Sequence, residues 1–304
     1  MSQELVGALL ARCWFPPAGE EVTAAVSGGA DSLALLVLAV EAGCAVTAVH
    51  VDHGLRPGSG QEAQVVAAAA ARLGAAFRAV QVEVEQGPDL EARARFARYR
   101  VLPPGVLTGH TADDQAETVL LNLIRGAGLP GLAGMAAGAS PRPGPRWVRR
   151  PLLGLRRTET VALCQALHLE PVLDPSNDDP RFLRNRVRRE VLPLLAEVGQ
   201  RDPVPILCRQ AAVMADDASL LDQLAGELDA TDARALAGAP LPLARRAVRA
   251  WLRAGADAEE HPPSAAEVAR VLAVARGEAV ACEVAGGRRV ARSGGRLRID
   301  AAAP

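Results

Sequence analysis

The 304-residue chain contains no lysine, so all 34 of its basic residues are arginines. This absence excludes a phosphate loop that grips the terminal phosphates of a nucleotide through a lysine ammonium. It also excludes enzymes that form a Schiff base between a lysine and a carbonyl substrate or pyridoxal phosphate. A phosphate site in this chain must therefore use arginine, backbone amides, a helix N-terminus or a metal ion.

Aromatic residues and cysteine pairs are also scarce. Aromatics make up 3% of the chain, which argues against a single-strand binder that stacks bases on aromatic side chains. The five cysteines are widely spaced and form no CxxC pair, which argues against zinc, an iron–sulfur cluster or a redox pair. These cysteines and the lack of a basic leader predict a reducing, cytoplasmic location.

Neither charge nor hydropathy indicates a membrane protein or a general nucleic-acid binder. The chain has 34 basic and 35 acidic residues, so any basic surface must be local. Its longest uninterrupted apolar run, 33–40, is eight residues, whereas a membrane-spanning helix needs about 20. The apolar fraction of 49% is enough for an aliphatic core, and we expect no membrane partner.

Short apolar strands alternate with helices through the first half of the chain. This order predicts an α/β fold with a doubly wound parallel sheet, in which ligands bind at the C-terminal ends of the strands. The predicted strands are 21–26, 44–51, 77–84 and 105–109, and the predicted helices are 31–41, 61–73, 89–99 and 111–125.

The rest of the chain has a different pattern. Segment 126–145 is rich in Gly, Ala and Pro and is predicted to be an irregular loop. Towards the C-terminus, apolar residues recur at helical spacing, and 279–299 is predicted to be a β-hairpin that turns at Gly286-Gly287. We therefore expect a catalytic domain, 1–200, and a smaller, mainly helical domain, 201–304.

The strongest functional signal is the loop between the first strand and its helix, which consists of Ser27, Gly28, Gly29, Ala30, Asp31 and Ser32. Two glycines let backbone amides approach an anion, and the helix N-terminus adds its dipole. A carboxylate repels phosphate, so Asp31 suits this loop if it holds Mg²⁺ that bridges to the phosphate oxygens. The alternative is a tight turn in which Ser27 or Asp31 only caps the helix.

This loop resembles the PP-loop of the N-type ATP pyrophosphatases, which have an adenine nucleotide alpha-hydrolase-like fold. The resemblance implies cleavage of ATP between the α and β phosphates, adenylation of a carbonyl oxygen, and displacement of AMP by a nucleophile. It implies that the loop binds the pyrophosphate portion without a lysine. It also places the adenine at the end of the second strand, near Ala48, Val49 and His50.

Four further motifs resemble the tRNA(Ile)-lysidine synthetase family within this group. They are 51–56 (VDHGLR), 91–99 (EARARFARY), 109–118 (GHTADDQAET), and 174–177 (DPSN) followed by 184–188 (RNRVR). The resemblance covers about residues 20–195. It implies an enzyme that uses ATP to ligate L-lysine to C2 of the wobble cytidine in the CAU anticodon of a minor tRNA(Ile). The reaction would pass through an adenylated cytidine and yield lysidine, AMP and pyrophosphate.

A lysine substrate needs carboxylates for its amines, and the third of these motifs contains them. Asp114 and Glu117 are three residues apart and share one face of the predicted helix. The resemblance assigns both to lysine binding, together with Arg95, Arg184 and Arg188. A carboxylate beside the ε-amine is also a candidate to take its proton. The alternative is that these acids only complement the helix dipole.

Three residues follow strands at the same edge of the predicted sheet. Gly109 and His110 end the fourth strand, and we expect Gly109 beside the nucleotide and His110 beside a phosphate or the activated base. A capping or core role is the alternative for His110. His53 follows the second strand with Arg56, and it is a candidate contact for ATP or tRNA, or part of a solvated loop.

Arginines are concentrated between 142 and 189, and we expect some of them to contact tRNA. Arginine suits bidentate phosphate contacts and stacking on unpaired bases, although a solvated basic face is the alternative. The candidates are Arg149, Arg150, Arg156, Arg157, Arg184, Arg186, Arg188 and Arg189. Because members of the family are often dimers, a homodimer is a further expectation.

Two other functions stay open. One is another PP-loop tRNA-modifying adenylating enzyme such as a thiolase, although those that act on cytidine usually carry CxxC pairs. The other is a non-catalytic adenine-nucleotide-binding module with a helical interaction domain. Asp31, Asp114 and Glu117 argue against such a module, because a protein that only binds a nucleotide needs no second set of carboxylates.

Overall fold

The computed structural model of the protein describes residues 2–54, 59–84, 87, 90–138, 147–172, 179–254 and 263–300. The chain divides into two compact units, Met1–Ala212 and Val213–Pro304. The boundary lies inside a helix, Pro203–Gly226, which begins just after the division predicted at residue 200. In the part of the chain that the structure describes, no helix is both long and apolar enough to cross a membrane.

A five-stranded parallel sheet forms the centre of the first unit. Its strands are β1 (Glu21–Ala25), β2 (Ala45–Asp52), β3 (Ala76–Gln81), β4 (Val106–Thr108) and β5 (Val148–Arg149). They lie in the order β3-β2-β1-β4-β5, which confirms the predicted doubly wound α/β fold. The order of the strands reverses between β1 and β4, so the crevice at their carboxyl ends is the expected ligand site.

Helices precede, connect and follow these strands along the chain. They are α1 (Ser2–Leu10), α2 (Ala30–Glu41), α3 (Ser59–Arg72), α4 (Leu90–Val101), α5 (Ala112–Ile124), α6 (Leu129–Leu132), α7 (Arg157–Ala166), α8 (Leu183–Arg186), α9 (Leu192–Gly199) and α10 (Pro203–Gly226). A π-helical turn, Val187–Val191, separates α8 from α9.

The four predicted strands and four predicted helices of the first half are all present, with ends that differ by a few residues. The sequence pattern does not predict β5, because two residues carry no periodicity; the strand pairs Val106 with Val148. The prediction of a wholly irregular loop over 126–145 was wrong at 129–132, which form α6. Residues 139–145 of that loop lie outside the described residues.

The core of the first unit is aliphatic, and α2 lies at its centre. Every residue from Ser32 to Ala39 on this helix is buried, as expected for a helix that is enclosed on all sides. The helix packs against β1, β2 and α7. Burial of one leucine or valine side chain contributes about 1.5–3 kcal/mol, so the loop that precedes α2 is attached to a firmly held element.

The second unit combines helices with a small antiparallel sheet. Its elements are α11 (Ala233–Gly238), α12 (Leu241–Ala254), α13 (Ala265–Arg276), β6 (Ala281–Val284), β7 (Arg288–Ser293) and β8 (Arg296–Asp300). The predicted hairpin corresponds to β6 and β7, which join at 285–287. The prediction of a single hairpin was wrong, because Gly294-Gly295 form a second turn and add β8. Both glycines have positive φ, which the two central residues of a type I′ hairpin turn require.

Candidate active site

The loop after β1 closes on the hydroxyl of Ser32. The backbone N–H groups of Ser27 and Gly28 each donate to Ser32 Oγ at 3.1 Å, and Ser32 Oγ donates to the carbonyl of Gly29 at 2.8 Å. Gly28 has φ +93°, and a Cβ there would lie 3.2 Å from Val172 Cγ2. The loop therefore has a compact shape that a residue with a side chain would strain.

The end of β4 touches the start of α2, and this contact requires a glycine at position 109. A Cβ on Gly109 would lie 2.6 Å from the carbonyl oxygen of Asp31 and 3.1 Å from Ser32 Cα. Gly109 therefore allows the segment after β4 to lie directly against the loop 27–32 after β1. Its contact with a nucleotide stays a prediction.

Asp31 is the loop residue predicted to hold a metal ion. Its Oδ2 accepts a hydrogen bond from Arg157 Nε at 3.1 Å, and its Oδ1 accepts one from Thr160 Oγ1 at 2.5 Å. Burial raises the pKa of Asp31 above its ordinary value and Asp114 adds to this effect, whereas Arg157 and Thr160 oppose it. The carboxylate is thus held between an arginine and a hydroxyl.

The surroundings of Asp31 fit Mg²⁺ that a substrate brings with it. Magnesium is usually held by one or two carboxylates together with substrate phosphates, so one carboxylate beside a phosphate loop is sufficient. A carboxylate offers about four acceptor positions, so the two hydrogen bonds leave Asp31 with capacity for a cation. Among the described residues there is no group of three or more His, Cys, Asp or Glu side chains that could hold a metal by themselves.

Asp114 lies at the start of α5, directly across the crevice from the loop. Its Oδ2 accepts from the backbone N–H of Thr111 at 2.8 Å, and its Oδ1 accepts from Arg157 Nη2 at 2.9 Å and Arg184 Nη2 at 3.1 Å. Burial alone would raise the pKa of Asp114, but Arg157 and Arg184, with His110, lower it below its ordinary value. The residue is 8% exposed and is stabilised as an anion.

Glu117 lies one turn further along α5 and is completely buried. Its Oε2 accepts from Arg184 Nε at 2.6 Å, and its Oε1 accepts from Arg188 Nε at 2.7 Å and from Arg157 Nη1 at 3.5 Å. A buried carboxylate is tolerated only when it is paired and hydrogen-bonded, and three guanidiniums meet this condition here. The structure therefore brings Glu117 together with Arg184 and Arg188, two of the three arginines that were predicted for the lysine pocket.

Arg157 is the site residue that the sequence did not reveal. It is the first residue of α7, and its guanidinium donates to Asp31, Asp114 and Glu117. In the sequence it is one of several arginines in a basic segment that is expected to contact RNA. No local signal separates it from Arg156, since both follow the apolar segment that ends at Leu155.

Asp113 fixes the start of α7 and thereby the position of Arg157. Its carboxylate accepts the backbone N–H of Arg157 at 2.7 Å and the Nε and Nη2 groups of Arg156 at 3.1 Å each. Burial opposes ionisation, but these hydrogen bonds lower the pKa of Asp113. The side chain of Arg156 also pairs with Asp202. Asp113 is therefore an anchor for the helix and does not face the crevice with Asp114.

The arginines that were predicted to contact tRNA have different environments. Arg184 and Arg188 point inward to Glu117, whereas Arg186 pairs with Glu190 on the surface. Arg149 pairs with Glu20, and its guanidinium lies 4.6 Å from the ring centroid of Trp147 and 5.6 Å from that of Trp14. Arg150 donates to the carbonyl of Ala136 at 3.1 Å. Contact of this group with RNA stays a prediction.

Two histidines lie at the end of β2, where the adenine was predicted. The side chain of His50 is buried, and its Nδ1 lies 3.0 Å from the carbonyl oxygen of Val26, while its Nε2 has no hydrogen-bond partner among the described protein groups. Because Nδ1 faces a carbonyl, it carries the proton, and Nε2 is left as an unsatisfied acceptor. Ala48 and Val49 are buried within β2, and their contact with adenine stays a prediction.

His53 and His110 each contact a neighbouring side chain. Arg98 Nη2 lies 3.1 Å from His53 Nε2, and burial together with this cation lowers the pKa of His53 to about 4. His110 Nδ1 lies 2.7 Å from Thr108 Oγ1, and the histidine contributes to the low pKa of Asp114. His53 is therefore neutral near pH 7, and His110 lies beside the proposed lysine pocket.

Two predicted contacts and one motif lie outside the part of the structure that can be described. Arg95 belongs to α4, but its side chain is outside the described residues. The same holds for Arg56 and for residues 174–177, which carry two of the motifs. Their predicted roles stay predictions.

Known proteins resemble this chain in sequence and in fold. A family model described as a PP-loop domain matches residues 6–195. A tRNA(Ile)-lysidine synthase from Nocardia farcinica is 48% identical over 250 residues, which cover 78% of this chain and 77% of that protein. Another from Mycolicibacterium paratuberculosis is 48% identical over 244 residues, which cover 76% and 74%. The solved structure of the U34-tRNA thiolase NcsA from Methanococcus maripaludis covers 70% of this chain and 79% of its own, with a TM-score of 0.56 and 16% identity.

The sheet order, the loop after β1 and the family match define a PP-loop protein, and the likeness to the thiolase shows the same fold and no more. Identity of 48% over three quarters of both chains defines the group more closely. The chain belongs to the tRNA(Ile)-lysidine synthase family. The resemblance found in the sequence motifs is thereby confirmed.

Proposed function

We propose that the protein is an ATP-dependent ligase that joins the ε-amine of L-lysine to C2 of the wobble cytidine in the CAU anticodon of a minor tRNA(Ile). Membership of the family supports both the ligase activity and the tRNA substrate. The structural observation that carries the proposal is the meeting of Asp31, Asp114 and Glu117 around one guanidinium, where the order of the sheet reverses.

The loop 27–32 would bind the phosphates of ATP. Its backbone amides and the N-terminus of α2 supply the positive field that a lysine supplies in other nucleotide sites. Asp31 would hold Mg²⁺, which when bound neutralises charge that develops on the departing pyrophosphate. At the other end of the nucleotide, the unsatisfied Nε2 of buried His50 is a fitting partner for a donor such as the exocyclic amine of adenine.

The carboxylates of α5 would form the lysine pocket. Asp114 is slightly exposed and stays ionised, so it is the better direct contact for a lysine ammonium. Glu117 is fully enclosed and would act by holding Arg184 and Arg188, which suit the carboxylate of the substrate. Three acids face three arginines here, so an incoming ammonium must displace one guanidinium from its carboxylate.

The remaining parts of the proposal concern the partners. Exposed arginines such as Arg186 and Arg189 are suited to phosphate contacts with the tRNA, which would bind as a macromolecular substrate. A cytoplasmic location and a homodimer belong to the same proposal.

Incorporation of labelled L-lysine into a transcript of tRNA(Ile) with a CAU anticodon tests the function. With ATP and Mg²⁺ present, we expect one lysine per tRNA and one AMP per lysine. A transcript with a GAU anticodon is the matched control and should incorporate none. Release of AMP without lysine incorporation would favour another PP-loop tRNA-modifying enzyme. Binding of ATP with no release of AMP would favour the non-catalytic module.

A further inference from the structure

The guanidinium of Arg157 is shared between carboxylates that belong to two proposed subsites. Its Nε donates to Asp31 at 3.1 Å, and its Nη2 donates to Asp114 at 2.9 Å. Its Nη1 lies 3.5 Å from Glu117 Oε1. Each nitrogen of one planar group therefore faces a different acid, and these acids come from α2 on one side of the crevice and α5 on the other.

The other two arginines of the site lack this bridging geometry. Arg184 donates to Asp114 and Glu117, and Arg188 donates to both oxygens of Glu117. All of these contacts are made with α5. Arg157 adds the contact with Asp31, so it links the loop after β1 to the acids that follow β4.

The position of Arg157 is fixed by its backbone. Its N–H group donates to Asp113 at 2.7 Å, and α7 packs against α2 through a buried side that includes Leu163 and Cys164. Thr160, one turn later on α7, donates to the same carboxylate of Asp31. The side chain can therefore move its guanidinium between neighbouring acceptors while its Cα stays in place.

We propose that Arg157 is a positioning residue that couples the ATP subsite to the lysine subsite, so that occupancy of one changes affinity for the other. The inference rests on the proposed function for the identity of the two ligands. A triphosphate in loop 27–32 attracts the guanidinium and weakens its hold on Asp114 and Glu117. These carboxylates then present more negative charge to a lysine ammonium, so nucleotide tightens lysine binding.

Calorimetric titration of L-lysine measures this coupling without turnover. The dissociation constant is determined with and without the Mg²⁺ complex of α,β-methylene-ATP, which cannot be cleaved between the α and β phosphates. For the unaltered protein we expect the analogue to lower the constant at least about fivefold, at the small end of usual coupling between two sites. By reciprocity, lysine must tighten binding of the analogue by the same factor.

Three substitutions separate coupling from simple loss of charge. The ratio compared is the dissociation constant of lysine without the analogue divided by the constant with it. In Arg157→Gln this ratio falls to within twofold of one. Arg188→Gln removes a guanidinium that touches Glu117 but not Asp31, so it changes the affinity for lysine and keeps the ratio. Arg201→Gln, at an exposed position with no proposed role, keeps both the affinity for lysine and the ratio.

An unchanged ratio in Arg157→Gln overturns the proposal, and so does a ratio of one in the unaltered protein when both ligands bind.

If Arg157→Gln does not fold, Arg157→Lys provides the test. It keeps the charge, but one nitrogen replaces the three separate nitrogens that reach Asp31, Asp114 and Glu117. Its ratio must therefore fall below that of the unaltered protein, and an equal ratio overturns the coupling. If lysine neither binds nor is incorporated into tRNA, the proposed function fails; if lysine is incorporated but Arg157 does not affect the ratio, only this inference fails.

Discussion

The two units of the molecule differ in what they bury. All nine buried polar side chains among the described residues lie in the first unit, and they include Asp114 and Glu117. The core of the second unit is apolar throughout the described residues, from Ala225 to Leu297. Because burial of a charge is unfavourable unless it is fully paired, the first unit accepts a cost that the second avoids. The function of the first unit therefore explains its buried charges better than a gain in stability does.

The arginines show the same contrast. In the first unit Arg157, Arg184 and Arg188 surround an acid that has no solvent exposure. In the second unit Arg296 pairs with Asp229, and both side chains are at least half exposed. A surface pair of this kind contributes about 0–1 kcal/mol, whereas removal of one partner from a buried pair costs about 3–5 kcal/mol. One residue type thus serves as part of a site in one unit and as a solvated surface in the other.

The largest effect is expected when the buried acid is neutralised. Glu117→Gln removes a carboxylate that three guanidiniums share and takes from Arg188 the acid that it contacts. It should lower the free energy of unfolding by about 3–5 kcal/mol, as measured by urea denaturation. Where the variant stays folded, it should weaken the use of lysine more than the use of ATP. Exposed Glu278→Gln in the second unit is the control and should change stability by less than about 0.5 kcal/mol. Equal loss in the use of both substrates would assign Glu117 a purely structural role.

In the second unit the corresponding substitution removes an apolar side chain from the core. Leu236 is fully buried in its core, so Leu236→Ala should cost about 2–5 kcal/mol of unfolding free energy through lost burial and the cavity that remains. Thermal or urea unfolding followed by circular dichroism measures the cost. Leu241→Ala, at a half-exposed position of α12, is the matched control. A cost near zero for Leu236→Ala would contradict the packing described for this unit.

Asp31→Asn tests the chemistry of the first unit without a change in side-chain volume. Loss of the proposed metal ligand should slow AMP formation at least about 100-fold while the fold remains intact, since metal assistance is worth several kcal/mol. Pyrophosphate release in the presence of tRNA is the measurement. Asp216→Asn, on an exposed face of the second unit, should keep the full rate. Unaltered adenylation in Asp31→Asn would remove this residue from the mechanism.

The smallest effect concerns pH. The pKa of His53 is lowered to about 4, so between pH 6.5 and 4 the unfolded state binds more protons and stability falls as the pH falls. Because the ring is only half-buried, solvent screening limits the loss to about 1 kcal/mol. Urea unfolding at pH 7 and pH 5 should show a smaller decrease for His53→Gln than for the unaltered protein. Equal decreases would mean that other groups cause the pH dependence.

The elements that could be predicted are those whose cause is local. The loop 27–32 carries its own glycines, and α2 is an uninterrupted apolar run, so both were identified from neighbouring residues alone. The pairing of Asp114 with Glu117 follows from helical spacing. The second turn, at Gly294-Gly295, has an equally local signal, because it is a diglycine like the predicted turn at Gly286-Gly287.

What could not be predicted depends on distant parts of the chain. Arg157 reaches Asp31 across 126 residues of sequence, and no local pattern distinguishes it from Arg156, which faces Asp113 instead. Glu117 was expected to meet a substrate, and its complete enclosure by arginines of 184–188 appears only when two remote segments pack together. The sequence therefore identified the acids of the site but not the guanidinium that connects them.

The π-helical turn at Val187–Val191 sets the direction in which the side chains after α8 point. It continues directly from α8, and it lets Arg184 and Arg188 reach the same carboxylate before the chain resumes as α9. Deletion of a single residue between Arg184 and Arg188 would rotate one of these side chains by about 100° relative to the other, away from the carboxylate that they share. Most surface helices tolerate substitution except at the apolar positions that face the core. This segment should instead tolerate changes of side chain at its exposed positions and tolerate no change in length.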